Sequence, residues 1–400
     1  MEISPTIKNV LKAYDILFQQ WCTYPYFINP DTCRVTEVKN KKSLRYFYFR
    51  LSLLFLAVFY LAFYFLRVII SPGSIPPPLR HPFWVVYLQA FGYSGTIMAA
   101  VVGLSCTKYG DEFANGWNHA IGIEGRIRKV AAIPSTTSGK PQLAELMILA
   151  NVIGLGLVQP FTVLFAIIFR LDPFSSFFTD MTFLFGLKFS LFSWQNLTIL
   201  LLRCTFLQFT IFDILRIISC TVATLSLVSI STTKSCKMLR KIGSLSDFLD
   251  YYRQFYFLGI FTQNTANIGI FSLMCLGFVV GVMFNYAAIA LWDVIPLPFF
   301  LKFPAGAFLV AVTIHFTLPV GVAIYMDSAK LIGTRVIEVA YSEVISSHER
   351  KYFLKYMKAL RPLMANAGLP GFTLFALKRE TKCTFYSAYV DYTINALLSK

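Results

Sequence analysis

Near the end of this 400-residue chain, Thr384, Ala388, Asp391, Asn395 and Leu398 follow one another at spacings of four, three, four and three. On a helix that spacing sets all five on one face. The other faces carry Phe385, Tyr386, Tyr389, Val390, Tyr392, Ile394 and Leu397. A small, polar stripe on an otherwise greasy helix can do two things. It can line a watery path, where a carboxylate such as Asp391, repeated in a ring, attracts cations. It can also hold helices together, because small and polar residues favour close helix contacts. The spacing alone fits both. A second charged pair, Asp213 and Arg216, stands three apart in an apolar stretch, where pairing lessens the cost of burial.

Signatures of catalysis are missing. His81, His119, His315 and His348 are dispersed, and the sequence holds no HExxH and no GxxxxGK[ST]. Eight cysteines (22, 33, 106, 204, 220, 236, 275 and 383) are scattered without a CxxC pair. An enzyme, a metal centre, a cofactor site or a disulfide scaffold is therefore not expected, and the cysteines read as small buried apolar side chains.

The elements that position these residues follow from composition. The chain is 56% hydrophobic and 16% aromatic but only 14% charged, with a mean hydropathy of +0.61. Soluble domains carry about 25% charged residues. Most of this chain is expected to lie in lipid, and its net charge of +16 must sit outside the hydrocarbon. Apolar runs of spanning length, roughly 20 residues, occur at Phe47–Ile70, Phe83–Thr107, Leu143–Phe169, Ile268–Trp292 and Pro304–Met326. Phe183–Ser231 is long enough for one span or two, and Cys383–Leu398 is a shorter last run.

Positive charge decides the count, because cytoplasmic loops are enriched in Lys and Arg. With one span near Phe206–Ser231 and the N-terminus inside, 24 of the 36 basic residues fall on the cytoplasmic side and only Arg80, Arg170, Lys302 and Lys400 outside. The expected fold is all-α, with seven transmembrane helices, a cytoplasmic N-terminus and an extracellular C-terminus. That orientation is opposite to the G-protein-coupled receptors. The first 46 residues hold no apolar run, so no signal peptide is expected. The expected division is a cytoplasmic segment over 1–46, spans one to six over 47–326, a cytoplasmic region over 327–382 and the last span over 383–400. The basic balance then meets anionic lipid, not nucleic acid. Asn196-Leu197-Thr198, the only N-glycosylation sequon, falls outside.

Just upstream of the last span the chain reads Arg361-Pro362-Leu363-Met364-Ala365-Asn366-Ala367-Gly368, and within it Thr384-Phe385, five residues, Asp391-Tyr392. In length, layout and this motif the chain resembles the arthropod chemoreceptor superfamily of gustatory and odorant receptors. The gustatory branch carries Thr-Tyr, five residues, Gln-Phe at that place, so three of the four positions are substituted here. The resemblance implies a chemosensory receptor for taste or odour in the plasma membrane of sensory dendrites. It implies a ligand-gated, non-selective cation channel, a homo- or hetero-tetramer with or without a co-receptor subunit. Thr384, Ala388, Asp391 and Asn395 would then line the pore, with Ala388 at the family's narrow gate. The basic collar Lys378, Arg379 and Lys382, with Glu380, would mark its cytoplasmic entrance. The amphipathic segments at Leu239–Phe261 and 327–370 become an assembly surface rather than membrane-surface helices.

The resemblance also implies a small organic ligand held in the outer half of the bundle, among the second to sixth helices. Depth in the spans suggests Tyr87, Phe91, Phe161, Phe165, Phe284, Asn285, Tyr286 and Phe308, apolar walls with a few polar groups. The competing reading is a small-solute transporter, which would show two similar halves with broken helices in matching positions. No half-to-half repeat is visible, and an odd number of spans does not divide into two halves.

Overall fold

The computed structural model describes residues 5–20, 24–38, 40–70, 83–131, 143–168, 173–184, 194–295, 297–343 and 346–398. Helices dominate: α1 (Pro5–Tyr14), α2 (Lys41–Ile70), α3 (Phe83–Val130), α4 (Leu143–Ile168), α5 (Pro173–Leu184), α6 (Trp194–Leu239), α7 (Leu245–Phe261), α8 (Gln263–Ala290), α9 (Leu297–Phe300), α10 (Lys302–Ala340), α11 (Ser347–Ala359) and α12 (Arg379–Leu398). Among the described residues α2, α3, α4, α6, α8 and α10 are long and apolar enough to cross a membrane. The protein is a multi-pass, all-α membrane protein. The expected last span is α12, whose 20 residues reach about 30 Å, the thickness of a hydrocarbon core. Arg379, Glu380, Lys382 and Asp391 make it more polar than the other six.

Among the described residues, the apolar stretch ending at Ser231 holds the last two residues of α5 and one long helix, α6, which begins at Trp194, twelve residues ahead of the expected Phe206. Sequence reading placed the ends of α3 and α6 too early, whereas residues 327–370 were expected to begin as a helix emerging from the sixth span. The second span was expected to stop at Thr107, but α3 runs on to Val130 with only a kink at Tyr109 (φ −119°, ψ 17°). Helix α10 continues fourteen residues past Met326 to Ala340, and α6 eight past Ser231 to Leu239. A 48-residue helix is about 72 Å long, more than twice a bilayer core. These polar extensions meet α7 and α11 in a separate core around Ile127, Leu239, Phe248, Tyr252, Leu331 and Met357. A capping box at Ser346 and Glu349 starts α11. The helix ends before Pro362, which restricts the residue ahead of it to extended backbone.

Two small hairpins depart from the all-helical expectation. Tyr26–Ile28 pairs antiparallel with Val35–Glu37, and Asn366–Leu369 with Phe372–Ala376, immediately before α12.

The segment ahead of the first span is packed into the bundle. Val10, Leu11, Tyr14 and Phe18 are buried with Tyr24, Ile28, Cys33 and Val35 among α2, α3, α4 and α6. Their spacing is that of one helix face, and each large apolar side chain removed from water contributes ~1.5–3 kcal/mol. Asn118 pins the hairpin, accepting from the Val35 N–H (3.0 Å) and donating to its carbonyl (2.7 Å). Trp117 Nε1 donates to the Cys33 carbonyl at 2.7 Å. Burial pushes the Cys33 thiol up to about 11.

Candidate ligand pocket and pore helix

Helix α12 is held by one side only. Tyr389 lies over Gly281 of α8, where a Cβ would come within 2.5 Å of the ring, so only glycine admits this approach. Asn285 Nδ2 donates to the Tyr389 hydroxyl at 2.7 Å. Phe385 and Tyr392 meet the edge of Phe278 of α8 with ring centres 5.8 and 5.4 Å apart, an arrangement aromatic pairs prefer. Farther along, Ala396 and Leu397 join an apolar cluster with Tyr286, Ala290 and Phe303.

The predicted stripe lies on an adjoining flank, about 110° round the helix from the side that meets α8. Thr384, Asp391 and Asn395 are exposed there and Ala388 is half-buried. The Thr384 hydroxyl donates to the Glu380 carbonyl at 3.1 Å, which sheathes the polar group along the helix. The Ser387 hydroxyl reaches Asp391 Oδ2 at 3.5 Å. No residue of α12 is buried. A helix this polar, left open along one face, can meet water or another protein surface at modest cost, but not lipid.

Five of the eight expected pocket residues form a packed aromatic cluster, not an open pocket. Tyr87 donates to the Met283 carbonyl at 2.7 Å and its ring sits 5.1 Å from Tyr286. The Phe91 ring lies tilted against Phe284 at 4.8 Å, and Phe284 meets Phe303 edge to face at 6.1 Å. Asn285 is turned toward α12. The cluster therefore joins α3, α8, α10 and α12. Phe165 lies beneath the Lys302 ammonium, 4.1 Å from the ring centre. Phe161 (66% exposed) and Phe308 (73%) point out of the bundle and join no pocket with the others. Their depth gave no information on rotation about the helix axis. Asn196 stands in the first turn of α6, and its side chain lies outside the described residues.

Open space occurs elsewhere, in a crevice of about 450 Å³ between α4, α6 and α10. Met147, Ile148, Val222 and Phe316 give it apolar walls, and Asn151 and Thr313 are its main polar groups. Asn151 Nδ2 donates to Thr313 Oγ1 at 3.0 Å, while its buried Oδ1 accepts no hydrogen bond from the described residues. An unpaired acceptor in an apolar wall suits a ligand with one hydroxyl to donate. The sequence signal was a lone amide in an apolar run, weaker than an aromatic side chain and passed over for that reason.

Below this region lies a buried ionic trio. Arg216 Nη2 meets Asp213 Oδ1 at 2.7 Å, the pair expected from their spacing. Arg50 of α2 completes it: its Nε donates to Asp213 Oδ2 at 2.7 Å and its Nη2 to Oδ1. The Arg216 guanidinium also rests on the Tyr24 ring at 4.6 Å, tying the N-terminal segment to α6. Arg50 was missed because a single cation in a long apolar run names no partner. Among the described residues no cluster of His, Cys, Asp and Glu could hold a metal ion. In the core that α7 and α11 form with the helix extensions, burial raises the Tyr252 phenol well above its usual value, and it stays a donor, to the Arg361 carbonyl at 2.8 Å.

The architecture is thus that of a membrane helix bundle with an ionic core, an apolar crevice and a last helix with an exposed polar flank. No protein-family model and no curated protein sequence matches the chain. Solved structures do. The insect olfactory receptor OR5 from Machilis hrabei superposes with a TM-score of 0.64 at 11% identity, covering 98% of this chain and 98% of the receptor. The same receptor in complex with eugenol gives 0.61 at 13% identity, again over 98% of both chains. The chain has the fold of the insect olfactory receptors, the fold implied by its resemblance to the arthropod chemoreceptors.

Proposed function

We propose that this protein is a chemosensory receptor of the plasma membrane, opened as a non-selective cation channel by a small organic ligand. The observation that carries the reading is the open polar face of α12 in a chain with the olfactory-receptor fold end to end. In a tetramer, of this chain alone or with a co-receptor subunit, four such faces around an axis would enclose a watery path lined by Thr384, Ala388, Asp391 and Asn395. Residues 327–382, with the ends of α3 and α6 and with α7, would serve as the assembly region on the cytoplasmic side. The aromatic cluster would couple the outer helices to α12 through Asn285 and Tyr389.

The similar receptor was solved with eugenol, a small aromatic molecule. The crevice at Asn151 and Thr313 suits that kind of ligand: apolar, neutral and able to donate one hydrogen bond. Whole-cell recording tests the proposal. The chain is expressed alone and with a co-receptor, then exposed to a panel of small phenols and alcohols that includes eugenol. Ligand-evoked current carried by several cations is expected. Saturable solute uptake without such current would replace the channel by a transporter.

A further inference from the structure

A second crevice lies on the other side of α10, and the proposed ligand pathway does not use it. It is a half-open cleft of about 640 Å³, its mouth included, between α6, α8, α10, the chain just ahead of α12, and α12 itself. The lining carries no charged side chain, and its polar groups are the hydroxyls of Ser226, Ser229 and Thr317. Two of these already spend their hydrogens within their own helices: Ser229 donates to the Leu225 carbonyl and Thr317 to the Thr313 carbonyl, both at 2.8 Å. Their oxygens remain able to accept. The chemistry selects a neutral, apolar occupant bearing one donor.

The walls belong to parts of the protein that differ in how firmly they are held. Helix α10 contains Pro319, which has no backbone N–H to donate and so leaves the helix one hydrogen bond short beside the crevice. Two residues on, Gly321 lets Leu377 press in so closely that a Cβ would come within 2.7 Å of its methyl. Leu377 stands two residues before α12 begins, and Phe385 of α12 forms part of the lining. Val222, Ser226 and Thr317 line this crevice and the first one alike. A bound molecule would touch α6, α8, α10 and the base of α12 together. A ligand shifts a conformational equilibrium only through contacts that differ between the states. Phe385 supplies such a contact if α12 moves.

We propose that this crevice is a second binding site, for a small apolar molecule of the aliphatic-alcohol class, and that its occupancy biases the position of α12. The binding stands on the cavity alone; the bias rests on the reading of α12 as the pore helix.

The experiment uses the full chain in lipid nanodiscs, photolabelled with a diazirine-bearing octanol, with adducts mapped by mass spectrometry. Adducts are expected within 225–229 or on Met274 or Phe385, suppressed by excess 1-octanol. Ser229→Phe, which fills the crevice, should lower them about tenfold, the factor given by ~1.4 kcal/mol of lost binding. Labelling confined to lipid-exposed side chains such as Phe59, or crevice labelling that excess octanol leaves untouched, overturns the site. The competition arm uses the unaltered chain and holds even where the filled variant fails to fold. Recording from cells expressing the full chain tests the bias: 1-octanol should change the current about twofold or more, a shift of ~0.4 kcal/mol, and Ser229→Phe should abolish that change. A labelled crevice with an octanol-insensitive current overturns the bias. A chain that conducts under no condition counts against the pore reading instead, and binding is then judged by the labelling.

Discussion

Asp213 is the residue whose loss should cost the fold most. Its carboxylate is 3% exposed and faces two guanidiniums, those of Arg50 (4%) and Arg216 (1%). The trio carries one net positive charge. Asp213→Asn keeps the shape but leaves two cations buried without an anion. Breaking a buried ion pair by removing one partner costs ~3–5 kcal/mol. With ~2 °C lost per kcal/mol, the lower scale suited to long chains, the melting temperature should fall by roughly 6–10 °C. The assay is thermal unfolding of the detergent-solubilised protein, followed by size-exclusion chromatography. Arg50→Met supplies the control. If the cost is an uncompensated charge, adding it to Asp213→Asn restores one net charge and recovers part of the loss. The coupling should be of order 0.5–3 kcal/mol. A fall below about 2 °C for Asp213→Asn would refute the reasoning, since it amounts to ~1 kcal/mol. Strict additivity in the double variant would refute it equally.

Three further outcomes test the pore and its coupling. Asp391→Asn should reduce divalent permeability or affinity for cationic blockers; ion selectivity unchanged from wild type would dismiss an acidic ring. Tyr389→Phe removes the bond from Asn285, worth ~0.5–1.5 kcal/mol, so the half-maximal ligand concentration should shift about 2- to 12-fold. Asn285→Ala should add little to it, and fully independent effects would sever the proposed link. Cys383 is exposed beside Thr384 at the base of α12, so a charged methanethiosulfonate applied from the cytoplasmic side should block current, with Cys383→Ser resistant. Cys33 should stay unmodified at pH 8, because its thiol ionises only near 11 and remains protonated there.

Period was more legible in the sequence than orientation. The 4-3-4-3 spacing sets its residues on one flank of α12, and Thr384, Asp391 and Asn395 are exposed there; that they line a pore is the proposal made above. The choice of one span near Phe206–Ser231 followed from where the basic residues fall, and α6 is indeed a single helix. The eight pocket residues had only depth behind them. Phe161 and Phe308 face outward because neighbouring helices set that rotation, and no spacing within one helix records it. The ends of α3 and α6 were misplaced for another reason. Hydropathy falls where a helix leaves lipid, and Glu124, Arg128 and Lys129 look like a loop although the helix runs on beneath them. The burial of Val10, Leu11, Tyr14 and Phe18 was written in their helical spacing. A search for a span-length apolar run passes over so short an amphipathic helix.

The contrast between these two ends of the chain bears on gating. The N-terminal segment is held by apolar burial, by Arg216 and by hydrogen bonds from Trp117 and Asn118. Helix α12 has no buried residue and touches the bundle along one side. Segments with little burial open at the lowest free energy, so α12 is the element best suited to move while the rest stays fixed. Its outward face cannot be left to lipid. A carboxylate at the centre of a lone spanning helix costs ~2.5–3.5 kcal/mol, and nothing on the chain's own bundle covers Asp391 except Ser387 on the same helix. In the proposed tetramer, further copies of that face around a shared axis would remove the cost by surrounding the carboxylates with water. The aromatic side, locked to α8 through Gly281, Phe278 and Asn285, then becomes the handle by which the bundle can turn the helix. On this argument, rotation of α12 about that seam, rather than its unfolding, is the motion that would change what Ala388 and Asp391 present to the axis.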